Sequence, residues 1–112
     1  MSTPPERLQV VHGAFSNAYQ RRSQDLKEAK STAQADQILD NLDELEIAYL
    51  RAARNALDAN GTAVEEAFEA ADAASKAVDE AYRRAKALPE KIRLVTSVAQ
   101  NVKQLVEKAS GA

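Results

Sequence analysis

Cysteine is absent from the 112 residues, which removes both a disulfide framework and a thiolate metal site. Histidine occurs once, as His12, so the paired Glu-x-x-His motifs of carboxylate-bridged di-iron bundles cannot be assembled. Imidazole chemistry would have to rest on His12 alone, without an acid partner nearby in sequence. A histidine phosphotransfer motif usually continues with lysine and glycine, whereas His12 is followed by Gly13, Ala14 and Phe15. Only three glycines and three prolines are present, too few for a β-rich or loop-rich chain of this length. Tryptophan is missing, and no apolar run approaches the ~20 residues of a membrane span. The N-terminal Met-Ser-Thr-Pro-Pro-Glu-Arg has no basic stretch leading into an apolar run, so a soluble, cytoplasmic protein is expected.

What is present is apolar residues at 45% and charged residues at 29%, a globular composition sufficient for one core and one domain, residues 1–112. Val64, Ala67, Ala71, Ala74, Val78, Ala81, Ala85 and Leu88 alternate steps of three and four, which holds one stripe on one side of a helix for about seven turns. Helix starts are signalled by three potential capping boxes: Thr3 with Glu6, Ser31 with Gln34, and Thr62 with Glu65. Asn60-Gly61 reads as a helix end. At Leu88-Pro89 either a new helix begins or one long helix kinks. The spans expected are 4–30, 32–58, 62–88 and 89–109. Each carries one apolar face, and short links make neighbours antiparallel, so the fold class is all-α: an up-down-up-down four-helix bundle about 40 Å long.

The second helix has the broadest apolar face, because Leu39, Leu50 and Leu57 lie beside the row Ile38, Leu42, Leu45, Tyr49 and Ala53. A wide face implies two neighbours. The third helix has a strip made only of alanine, at Ala63, Ala67, Ala70, Ala74, Ala77 and Ala81, which is the candidate close-contact interface. Arg22 is the candidate polar group within the apolar stripe of the first helix, where it should pair with an acid or extend to water.

Charge excludes little globally, since the net value is −2. Residues 36–80 hold 12 acids and 3 bases and residues 81–112 hold 7 bases and 2 acids, but an up-down bundle mixes the two regions at one end. Acids interleaved among Arg21, Arg22, Lys27, Lys30, Arg83 and Arg84 argue against phosphate binding, hence no nucleic acid partner is expected. Asp58-Ala-Asn60-Gly61-Thr62 resembles the turn of a calcium loop, yet alignment on Gly61 puts alanine at the first and last ligand positions. No cofactor or metal is implied. The function class favoured is a non-catalytic helical protein–protein interaction module, a scaffold, adaptor or inhibitor, whose partner is another protein or a second copy in a homodimer. The alternative is a small enzyme or ligand-binding regulator with a site between helices, using Arg22, Tyr19, Tyr49 and Tyr82.

Overall fold

The computed structural model describes residues 1–111. It contains four helices, α1 (Pro4–Glu28), α2 (Thr32–Arg54), α3 (Thr62–Arg83) and α4 (Leu88–Ala109). They form a bundle of 42 × 25 × 18 Å, with chain direction alternating from helix to helix as the short links require. The sequential neighbours α2 and α3 make no contact among the described residues, while α1 and α4 each touch all three other helices. Around the bundle the order is therefore α1, α2, α4, α3. The broad face of α2 meets α1 and α4, and the link between α2 and α3 crosses the bundle end.

Local chemistry explains each boundary. Thr3 and Glu6 form both arms of a capping box, and Pro4 and Pro5 occupy positions where a missing N–H costs nothing. Ser31 accepts from the Gln34 amide, but the Gln34 side chain accepts from the amide of Lys30 rather than that of Ser31. The third expected box does not form. Gly61, at φ 133°, is the N-cap of α3 and makes no side-chain bond, which places Thr62 inside the helix. Glu65 is unavailable for capping because its carboxylate accepts from the Ser2 amide and, at 2.7 Å, from the Ser2 hydroxyl.

α2 ends at Arg54 rather than 58, because its continuation has other partners. Leu57 is drawn into the core, the Leu57 and Ala59 carbonyls accept from Arg7, and the Ala59 amide donates to the Ala109 carbonyl at the end of α4. α3 ends at Arg83 rather than 88. There the Lys86 amide donates to Ala81 and the Ala85 amide to Tyr82, a Schellman arrangement with Ala85 at φ 51°. Of the two expectations at Pro89, separate helices is the outcome: Pro89 sits in the first turn of α4, and Leu88 opens that helix.

The apolar interior has two parts. The larger is centred on Val11, Leu45, Val102 and Leu105, all fully buried; the smaller joins Ile38, Leu88 and Ile92 at the opposite end from the chain's N-terminus. Polar side chains lie beside the smaller part, among them Asn41, whose amide donates to Thr96 at 2.9 Å.

Candidate functional site

The alanine strip straddles the edge of the buried face. Ala67 and Ala81 are buried and Ala74 is partly covered, whereas Ala63, Ala70 and Ala77 are exposed. Burial follows the heptad row instead, through Val64, Ala67, Ala71, Val78 and Ala81. Half of the strip thus serves contacts within the chain, and half faces solvent.

Arg22 is half-buried, with its guanidinium carbon 4.9 Å from the Tyr19 ring centroid. It rests on an aromatic face, where a planar cation is attracted by the ring quadrupole. The three tyrosines do not converge. Tyr49 lies between α1 and α2, Tyr19 is exposed, and Tyr82 reaches the opposite end of the interior.

The buried charges are residues that the sequence pattern did not single out. Arg7 has no exposed surface, and all five of its N–H groups find acceptors. Nε donates to the Ser2 hydroxyl at 2.9 Å; Nη1 to the Leu57 and Ala59 carbonyls at 2.7 and 2.8 Å; Nη2 to the Ser2 carbonyl and Asn60 Oδ1 at 3.0 and 3.2 Å. Glu65 stands 3.8 Å from Nη2 and supplies the opposite charge. Its bonds from Ser2 hold the Glu65 carboxyl below the usual range. This assembly ties the N-terminus, the α2–α3 link and the first turn of α3 together.

At the other end Asp25 and Lys91 are both buried. The Tyr82 hydroxyl donates to Asp25 Oδ2 at 2.5 Å, while Lys91 bonds Glu28 at 3.1 Å and lies 4.8 Å from the Tyr82 ring centroid. Arg21 covers the same ring at 4.1 Å and pairs with Asp79 at 3.1 Å. Burial pushes the Asp25 carboxyl above its usual range, against the lowering pull of the Tyr82 hydroxyl and Lys91. Burial, reinforced by the neighbouring carboxylate, also raises the Tyr82 phenol well above its ordinary value of 10.0. Asp25 Oδ1 has no hydrogen-bond partner. A cavity of about 20 Å³ bounded by Asp25, Asn41 and Tyr82 has room for one water molecule and is too small for an organic substrate.

The remaining feature is a surface. Leu8, Tyr19, Leu39, Ile47 and Leu50 are between 37% and 53% exposed, and among the described residues every exposed large hydrophobic on a helix lies on α1 or α2. Leu8, His12, Phe15 and Tyr19 follow each other by four, three and four residues, which puts them on one side of α1. Leu39, Asp43, Glu46 and Leu50 repeat the same steps on α2. Tyr49 joins the helices: its ring stacks on Phe15 at 5.6 Å and meets His12 at 5.2 Å. The breadth of α2 noted in the sequence therefore exceeds what α1 and α4 cover. Leu57 turns inward, while Leu39 and Leu50 stay half in water.

Among the described residues no group of three acidic, histidine or cysteine side chains could hold a metal ion, and no helix is long and apolar enough to cross a membrane. Compared with protein-family descriptions, curated proteins and solved structures, the chain shows no match.

Proposed function

We propose that the chain is a non-catalytic helical interaction module that binds another protein through the α1–α2 side of the bundle. The observation that carries this reading is the exposure of Leu8 and Tyr19 on α1 and of Leu39 and Leu50 on the adjacent α2; Ile47 lies on the α4 side of α2. Single exposed apolar residues are ordinary on a protein surface, but a contiguous group is a common mark of a binding face. α3 and α4 bury or partly bury their large apolar side chains and present charges outward, so the asymmetry is not a general looseness of the bundle. The half-stacked row of His12, Phe15 and Tyr49 adds rigid aromatic surface, which loses little side-chain freedom when covered.

The test is co-purification from the cells in which the chain is native, comparing it with the double variant Leu39→Gln, Leu50→Gln. Glutamine keeps helix propensity, so the variant should retain its helical circular dichroism. A protein retained in stoichiometric amount by the native chain and lost by the variant is the expected result. Retention that is indifferent to both leucines, or no retained protein at all, overturns the reading.

A further inference from the structure

Resting on that reading, we infer that the partner is a cationic amphipathic helix laid along the outer side of α2 and its groove with α1. Leu39 and Leu50 are eleven residues apart, about 16 Å at 1.5 Å per residue, which is three turns of helix. Leu8 and Tyr19 are the same number of residues apart on α1, and because Tyr49 lies level with His12 and Phe15 the two rows overlap in a stagger that a helix of about four to five turns would span. Helices that dock in this manner contribute apolar residues at steps of three and four, with polar residues at the flanks.

Charge selects the flank. Asp36 lies one turn before Leu39, Asp43 one turn after it, and Glu46 one turn before Leu50. All three are exposed, and among the described residues none of them forms an ion pair or side-chain hydrogen bond. Among the described residues, several carboxylates on other helices have partners, Glu28 with Lys91, Glu65 with Arg7, Asp72 with Lys76 and Asp79 with Arg21, while Glu66 and Glu69 are also free but lie on α3, which has no exposed large hydrophobic side chain. The leucines of α2 are thus bordered, among the described residues, by three free carboxylates, with one free cation, Arg54, a turn beyond Leu50. A second copy seated antiparallel, α2 against α2, would set Asp43 against Glu46 between the leucines and match only Arg54 to Asp36, whereas lysine or arginine beside the anchors of a foreign helix would complement all three acids.

The probes are two eighteen-residue peptides with one amphipathic helical pattern, one of leucine and lysine and one of leucine and glutamate, titrated into the full chain by fluorescence anisotropy. The lysine peptide should bind and the glutamate peptide should not. Neutralising the border with Asp36→Asn, Asp43→Asn and Glu46→Gln should weaken the lysine peptide by about tenfold at low salt. Glu66→Gln with Glu69→Gln, an equal kind of change on exposed positions of α3, should alter it by less than about twofold. Equal weakening by both sets would reveal attraction to the whole molecule and overturn the inference. So would binding of both peptides alike, or of neither. If instead the solution mass doubles and Leu39→Gln, Leu50→Gln restores the monomer, the occupant is a second copy and the cationic partner is refuted. Should the peptides fail while co-purification still depends on the two leucines, only the partner's charge is wrong; failure of both removes the interaction module as well.

Discussion

Arg7 has its five donors directed at acceptors from two separate stretches of chain, Ser2 and residues 57–60, and no water is needed to complete the set. Truncation would leave two buried link carbonyls and part of Ser2 without donors, so Arg7→Ala should destabilise the fold by about 3–5 kcal/mol. Arg7→Lys should recover only part of that, because an ammonium has three donors and lacks the planar fork. Urea midpoints of the three proteins measure both effects; a loss below about 1 kcal/mol for Arg7→Ala would mean the clasp is dispensable. At the opposite end, Asp25 and Tyr82 make stability depend on pH in a defined direction. Both pKa values are raised in the folded state, so the folded protein holds protons that the unfolded chain releases. For Tyr82 stability should decline as pH rises above the ordinary value of 10.0, and Tyr82→Phe should remove that alkaline decline. For Asp25 the decline should begin above the ordinary value of 3.8 and level off beyond the raised folded value. Glu28 and Glu65 act oppositely: their lowered values give stability that is full above 4.5 and fades as pH falls. Asp25→Asn retains an oxygen for the Tyr82 hydroxyl without the buried charge, so its urea midpoint should exceed the native one at pH 7 and converge with it toward pH 4. A lower midpoint at pH 7 would show that Lys91 outweighs burial.

Elements were readable from sequence where their signals are local. Thr3 and Glu6 sit three residues apart and meet across one turn, so the start of α1 follows from the sequence alone. Thr62 and Glu65 present the same pattern, but Glu65 bonds Ser2, 63 residues away, and no local rule contains that competitor. Likewise Arg7 and Asp25 look like ordinary surface charges beside an apolar stripe; only the approach of distant carbonyls and of Tyr82 reveals their burial. The candidate surface was half legible, since the surplus width of α2 is a sequence property whereas the side on which Tyr49 joins α1 is not. The end of α3 carries its own test. Ala85 adopts φ 51°, a region that costs an L-residue about 1–2 kcal/mol, so Ala85→Gly should raise thermal stability by about 1 kcal/mol after glycine's greater unfolded freedom is counted. An unchanged or lowered melting temperature would show that the Schellman turn holds its strain without penalty. Along α3, Ala71→Leu should overpack a fully buried site and destabilise by about 1–3 kcal/mol. Ala77→Leu, placed on the exposed half of the alanine strip, should change stability by no more than about 0.5 kcal/mol. Solution mass measured on the same Ala77 variant tests whether that half contacts a second copy.

At the scale of the whole molecule α1 and α4 both touch every other helix, but α4 carries the most buried residues, and its Val102 and Leu105 are wholly enclosed. Amides around these residues should exchange with solvent only through global opening, making them the slowest in a hydrogen-exchange experiment, while the ends of α1 and α2 near residues 28–32 exchange sooner. If α1 or α2 proved slowest throughout, α4 would not be the centre of the bundle. The same arrangement bears on how the chain is made. A ribosome delivers residues in order, at about 5–20 per second, and α1, α2 and α3 emerge before the helix that fills the space between them. Because α2 and α3 do not touch, the first 83 residues can close the α1–α2 hairpin and add to it only the limited contact of α3 with α1. Arg7 must wait, hydrated, until the link that accepts from it has been synthesised and α4 has drawn that link into place through Ala109. Nascent chains halted before residue 88 should therefore remain open to proteases, and release of the last helix should convert them to resistance in a single step.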